Sequence, residues 1–171
     1  MTDTPPGRIC MVCSGNICRS PMAEVVLRTR LGEAGAADRY AVDSAGTGDW
    51  HVGEHADPRA TAALLDAGYD TAPEVHVARA FEADWFDRYG VVIALDRGHE
   101  RALRALARTP EERAKVRLLR SFEPAGPGRG AGLDVPDPYY GGAEDFVTSL
   151  RIIEGAVPGL VAWLAEPDGE R

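Results

Sequence analysis

The stretch Arg8-Ile9-Cys10-Met11-Val12-Cys13-Ser14-Gly15-Asn16-Ile17-Cys18-Arg19-Ser20-Pro21 decides how this chain is read. Arg8 to Val12 is a short apolar run and predicts a buried strand. Ser14-Gly15-Asn16 signals a loop. Ser20 then predicts a helix cap, with Pro21 in the first helical position and Glu24 in the first turn. Met22, Val25, Val26 and Thr29 fall at helical spacing and give that helix one inward face. Gly32 or Gly35 ends it.

Outward from this unit the chain keeps alternating. Tyr40 to Ser44 reads as a second strand, followed by a Gly- and His-rich loop from Ala45 to Ala56. Asp57-Pro58 introduces a helix over Arg59 to Ala67, closed by Gly68. Phe81 to Arg88 is a short helix, and Val91 to Leu95 is the clearest buried strand. Arg97 to Arg108 is a charged amphipathic helix stopped by Pro110, and Val116 to Leu119 is a fourth strand. Glu123 to Pro138 is a Gly/Pro loop longer than most connections, a kind of segment that often carries function. Ala143 to Ala165 is a long final helix. Alternating strands and helices predict an α/β fold of three layers, a parallel sheet with helices on both faces. Ligands of such sheets bind beyond the carboxyl ends of the strands, so the loop after the first strand is the place to look.

The bulk numbers agree with one domain over 1–171, with 1–7 and 167–171 expected to fray. The 171 residues are 44% hydrophobic and 27% charged, the formal net charge is −8, and the pI is about 5.0. That balance gives no electrostatic footprint for nucleic acid or an anionic membrane. No apolar run stands out at the roughly 20 residues a bilayer span needs, and the polar start has no signal-peptide core, so a cytoplasmic protein is expected. The three cysteines, Cys10, Cys13 and Cys18, lie in one short stretch, which is not a disulfide framework.

Cys13 to Arg19 is a cysteine, five residues and an arginine between a strand and a helix. Gly15 and Asn16 can take left-handed conformations and turn successive N–H groups inward. With Ser14, Ile17 and Cys18 they form a nest which, backed by a helix N-terminus, suits a phosphate dianion. Arg19 offers a planar fork for two phosphate oxygens. The same positive surroundings favour Cys13 as a thiolate, and the Ser20 hydroxyl can donate to its sulfur. A thiolate beneath a bound phosphate is placed for in-line attack, giving a thiophosphate ester that water later hydrolyses. Cys10 points to the opposite face of the strand from Cys13 and is read as a small core residue; zinc is not expected. Cys18 shares the cradle with Cys13 and is a candidate partner in reversible oxidation. A phenolate leaving group profits from a general acid, for which Asp137, held by Pro138, is the candidate.

Val12 to Pro21 together with Asp137-Pro138-Tyr139-Tyr140 resembles the low-molecular-weight protein tyrosine phosphatases, bacterial members most closely. Ser44-Ala45-Gly46-Thr47, Trp50-His51-Val52-Gly53 and His76-Val77-Ala78-Arg79 extend the resemblance over nearly the whole chain. It implies a four-stranded parallel sheet, no metal and no cofactor. It also implies Cys13 as nucleophile, Arg19 as phosphate clamp and Asp137 as acid, with Asn16, Ser20, Ser44 and His76 holding the loop in shape. Many relatives carry Met-Asp-x-x-Asn after the third strand. Here Leu95-Asp96-Arg97-Gly98-His99 puts His99 at the asparagine position, a change expected to matter little to the chemistry.

Trp50, Tyr139 and Tyr140, with Ile17 at the base, are the expected walls for an aryl phosphate. A deep slot favours phosphotyrosine in protein substrates over the shorter phosphoserine. His51 and His55 are expected on the same rim. Monomer or weak homodimer is expected, with phosphate as product. Three rivals were weighed on the same residues. A protein-arginine phosphatase has threonine where this chain has Ile17. An arsenate reductase needs downstream cysteines, and none follows Cys18. A non-catalytic phosphotyrosine-binding module would lack Cys13, Arg19 or Asp137.

Overall fold

Apolar residues on successive positions force β1 (Gly7–Cys13) into the middle of the molecule, because both of its faces must be covered. A computed structural model describes residues 7–71, 75–124 and 132–167. Ile9, Met11 and Cys13 point into one hydrophobic cluster, and Cys10 and Val12 into the other. Cys10 and Cys13 thus lie on opposite faces, as the period of two requires.

The other elements follow in alternation. They are α1 (Arg19–Glu33), β2 (Tyr40–Gly46), α2 (Pro58–Asp66), β3 (Val91–Ala94), α3 (Arg97–Leu106), α4 (Pro110–Ala114), β4 (Val116–Leu118) and α5 (Ala143–Ala165). The sheet is parallel throughout, in the order β2-β1-β3-β4. Residues of α1, α2 and α5 fill one face. Phe81, Phe86, Tyr89 and Leu103 fill the other. The chain runs from β1 to β2 on one side and then crosses back to β3 on the other. The loops after β1 and β3 therefore face each other at the point where the winding reverses, the usual ligand crevice of an open parallel sheet.

Several boundaries move. Gly7, expected to fray, opens β1 and donates its N–H to the Arg39 carbonyl at 2.8 Å; residues 1–6 and 168–171 lie outside the described residues. α1 begins at Arg19, so Ser20 is not its cap, Pro21 is not in the first position and Glu24 is not in the first turn. Its buried face is Met22, Ala23, Val26, Leu27 and Leu31; Val25 and Thr29 are only half-buried. Gly35, with φ 71°, supplies the left-handed turn after the helix, and Gly32 lies inside it. Pro110 does more than stop α3. It occupies the start of α4, which Thr109 caps by accepting from the Glu112 N–H at 3.1 Å. Short 3-10 turns take Ala83–Asp87, expected as a short helix, and Leu119–Phe122, the first residue of which was expected in the strand. Of the long loop, residues 125–131 lie outside the described residues.

α5 has the length and apolar content of a membrane span, contrary to the expectation that no segment does. Its apolar residues Phe146, Leu150, Ile153, Val157, Leu160 and Leu164 are buried in the core at helical spacing. At Gly159 the helix touches backbone directly: a Cβ there would stand 1.9 Å from the Phe122 carbonyl oxygen.

Candidate active site

The cradle is built where β1 ends beside β2. Cys13 pairs in register with Gly46, and the next residues of the two chains are tied together. Thr47 N–H donates to the Cys13 carbonyl at 2.8 Å and Gly48 N–H to the Ser14 carbonyl at 3.0 Å. Gly46 permits this approach, since a Cβ on it would stand 2.6 Å from the Ser14 oxygen. Asn16 takes the left-handed conformation, with φ 59°, as the loop reading requires. Gly15 does not have positive φ; its lack of a side chain serves another purpose, because the His51 ring packs where its Cβ would be.

Asn16 is fully buried and is the hub of the loop. Its Nδ2 donates to Ser20 Oγ at 2.8 Å and to Ser44 Oγ at 2.9 Å. Its Oδ1 accepts from the Arg79 N–H at 2.9 Å, and its carbonyl accepts from His76 Nε2 at 2.6 Å. Ser20 Oγ, already accepting from Asn16, stands 3.0 Å from Cys13 Sγ, so its hydrogen is available to the sulfur. Burial lowers the pKa of His76, which keeps it neutral and fits it to donate one N–H to the loop. Ser20, Ser44 and His76 thus come together where the sequence placed them, although Ser20 does this instead of capping α1.

Arg19 is 3% exposed and closes the other side. Its Nη1 donates to Asp96 Oδ2 at 2.8 Å and to the Val135 carbonyl at 2.9 Å. Among the described residues its Nη2 has only long contacts: Ser14 Oγ at 3.4 Å, His99 Nε2 at 3.3 Å and Asp137 Oδ2 at 3.6 Å. The loop that delivers Asp137 is pinned from behind. Val135 N–H bonds the Leu95 carbonyl at 2.9 Å, and Ser149 Oγ donates to the Pro136 carbonyl at 3.0 Å. The Asp137 side chain itself is 42% exposed, with Oδ1 accepting from the Tyr139 N–H at 3.1 Å.

Cys13, Ser14, Gly15, Ile17, Cys18 and Arg19 floor a cleft of about 430 Å³. Trp50, His51, Asp137, Tyr139 and Tyr140 wall it. Trp50 and Tyr140 are strongly exposed, at 71% and 89%, and Tyr139 and Tyr140 meet edge to face at 5.0 Å. Large apolar groups left this open at the mouth of a polar floor offer a surface to an incoming ring. His55 does not join the rim; its Nδ1 pairs with the His76 carbonyl at 3.1 Å. Cys18 is a free thiol, as are Cys10 and Cys13. Burial first, and then Asp57, push its pKa up to about 12, so it stays protonated and is no second nucleophile. Among the described residues no three His, Cys, Asp or Glu side chains converge as metal ligands.

Four residues contribute to the site in ways the sequence reading does not assign to them. Asp96 caps α3 through the His99 N–H at 2.8 Å and anchors Arg19 with its other oxygen. His99, whose place at the asparagine position is expected to matter little, is buried 2.8 Å from Ser14 Oγ. Gly46 admits the loop. Arg59 donates to the Tyr139 carbonyl at 3.0 Å and the Gly141 carbonyl at 2.9 Å, and lies over the Phe146 ring, which fixes the aromatic wall from below. The Asp-x-x-His spacing at the end of a predicted strand carried a signal for the first two, since it is a helix-cap pattern on the ligand side of the sheet. Nothing in the local sequence marks Arg59.

The family model described as low molecular weight phosphotyrosine protein phosphatase matches residues 8–168. A low molecular weight protein-tyrosine-phosphatase of Streptomyces coelicolor is 55% identical over 159 residues, covering 93% of this chain and 94% of its own. Low molecular weight protein-tyrosine phosphatase A of Mycobacterium tuberculosis is 46% identical, covering 94% and 93%. Among solved structures, a protein tyrosine phosphatase of Entamoeba histolytica with Hepes in the active site superposes with a TM-score of 0.86 at 28% identity, over 96% of this chain and 99% of that one.

Proposed function

The chain belongs to the low-molecular-weight phosphotyrosine protein phosphatase family, and from that premise we propose that it hydrolyses phosphotyrosine in protein substrates through a phosphocysteine on Cys13. One observation carries the reading. Cys13, Arg19 and Asp137, the last from a loop more than a hundred residues away, converge on one cleft with aromatic walls.

In the first half-reaction the Cys13 thiolate attacks phosphorus in line with the ester oxygen. The S–P bond forms as the P–O bond to the tyrosine ring breaks, and the departing oxygen takes a proton from Asp137. The Ser20 hydroxyl stands 3.0 Å from the sulfur, and the nest amides with Arg19 Nη2 balance charge on the equatorial oxygens. In the second half-reaction water gives a proton to the Asp137 carboxylate and attacks phosphorus. The S–P bond breaks, inorganic phosphate leaves and the thiolate is restored. Ile17 at the floor and the aromatic rim suit a long flat arm, which supports phosphotyrosine over phosphoserine and phosphoarginine. The reaction needs no cofactor, and the site of action is taken to be the cytoplasm.

The test is hydrolysis of p-nitrophenyl phosphate with chelator and reductant present, for the wild type and Cys13→Ser, followed by phosphotyrosine, phosphoserine and phosphoarginine peptides. Activity in the wild type, none in Cys13→Ser and preference for phosphotyrosine is the expected result. An inactive wild type overturns the catalytic reading.

A further inference from the structure

His99 sits on the first turn of α3, where the loop after β3 meets the cradle at the reversal of the sheet. Its side chain is buried between three groups of the site. Nε2 stands 2.8 Å from Ser14 Oγ and 3.3 Å from Arg19 Nη2. Among the described residues Nδ1 makes no hydrogen bond, and it stands 3.2 Å from Asp96 Oδ1.

These contacts fix the tautomer. A guanidinium has donors only, so Nε2 must present its lone pair to Arg19, and the ring proton lies on Nδ1, facing the Asp96 carboxylate. The Ser14 hydroxyl then donates to Nε2, which turns its oxygen lone pairs toward Arg19 Nη2. Asp96 Oδ2 holds the other guanidinium nitrogen. Arg19, Ser14, His99 and Asp96 form a closed ring of polar groups, in which the Ser14 hydroxyl and Arg19 Nη2 share the Nε2 lone pair and the Nδ1 proton faces Asp96 without a hydrogen bond. Burial, followed by the Arg19 charge, lowers the pKa of His99, consistent with a neutral ring.

We propose that His99 is a positioning residue for the phosphate clamp: its Nε2 lone pair sets the Ser14 hydroxyl and the outer edge of Arg19 before the phosphate arrives. This goes past the family reading, which assigned the position little chemical weight, and it rests on the cradle being a phosphate site. Arg19 Nη1 is held by strong fixed partners, whereas Nη2 has long contacts, the two shortest of which, to His99 and Ser14, run through His99. Nη2 is thus the edge that phosphate must capture, and without His99 its direction is not set. A group held within a few tenths of an ångström stabilises the transition state far better than one that must reorganise.

The two nitrogens can be told apart by substitution. The Gln side-chain amide reaches where Nε2 stands, and the shorter Asn amide reaches only as far as Nδ1. His99→Ala, His99→Asn and His99→Gln are compared for inorganic phosphate binding by titration, for phosphate competition against p-nitrophenyl phosphate, and for thermal unfolding. His99→Ala and His99→Asn are expected to weaken phosphate about tenfold, the worth of one charge-assisted hydrogen bond. His99→Gln recovers most of that loss even where its melting temperature matches that of His99→Ala. Nitrogen-15 NMR of the wild type should place the ring proton on Nδ1. Phosphate affinity in His99→Ala within twofold of wild type overturns the proposal. So does recovery by Asn rather than Gln, or a loss in all three that tracks only the melting temperature. Failure of the wild type to bind phosphate at all would instead remove the phosphatase reading on which the proposal rests.

Discussion

The two sides of the cradle are built differently. On the Asn16 side every polar atom of the amide is spoken for at 2.8–2.9 Å, to Ser20, Ser44 and Arg79, with no exposure to solvent. On the Arg19 side one guanidinium nitrogen is anchored as firmly, but the other has contacts of 3.3–3.6 Å, and Asp137 stands half in water. Satisfied buried polar networks rigidify, while groups left with long, exchangeable partners are free to take a ligand. The Asn16 side is therefore scaffold and the Arg19 side is working surface. Changes to the scaffold should appear in stability, and changes to the working surface in rate.

The largest expected effect lies on the working surface. Asp137→Ala should lower kcat by about 10²–10⁴ on phenyl phosphate, much less on p-nitrophenyl phosphate, whose leaving group needs little protonation. Its denaturation midpoint should stay at the wild-type value, because an exposed carboxylate contributes little to folding. A large fall in midpoint would break the division. Next comes Asn16→Ala, which strands the buried Ser20 and Ser44 hydroxyls and the Arg79 N–H and puts alanine in a left-handed conformation. A loss of about 2–4 kcal/mol by urea denaturation is expected, with activity falling as well. Stability unchanged would mean that the network does not hold the loop. Gly46→Ala should cost about 1–3 kcal/mol and weaken phosphate binding, since its Cβ must push on the Ser14 carbonyl. Gly159→Ala, which clashes still more severely with backbone, far from the cleft, should cost stability and leave KM alone.

The smallest effect is a pH dependence shared by both sides. The pKa values of His76 and His99 are lowered in the fold, mainly by burial. As pH falls below about 6.5 the unfolded chain binds protons that the folded chain resists, so stability declines toward acid. Urea midpoints at neutral and mildly acidic pH should show the decline, and His99→Gln should flatten it. Midpoints that hold steady through this range would contradict the burial assignment of both histidines.

Most of the scaffold was legible. Alternation of apolar runs and helical spacing placed all four strands within two residues, and α5 to the residue, because burial on both faces of a parallel sheet leaves few other readings for such runs. The Ser14-Gly15-Asn16 signal found the turn but credited the wrong glycine property: Asn16 alone turns left-handed, and Gly15 makes room for His51. The Ser20 hydroxyl stands at the Cys13 sulfur as expected, but the cap reading fails, because local pattern cannot show that the helix begins one residue earlier and that the loop amide of Asn16 also takes this hydroxyl. The contacts of Asp96, His99 and Arg59 with the site are out of reach for the same reason. Their work is done across 77 to 85 residues of sequence, where only the strand order brings partners together.

The central claim is that Cys13 carries the phosphoryl group. Wild type and Asp137→Ala are mixed with a rapidly reacting aryl phosphate, stopped by denaturing quench within the first turnover, and digested for peptide mass mapping. The account predicts a phosphoryl group on Cys13, absent from Cys10 and Cys18 and absent altogether in Cys13→Ser. In Asp137→Ala, which lacks the base for the second step, it should persist longer. Steady hydrolysis with no adduct at any time, or a phosphoryl group carried by another residue, would contradict it.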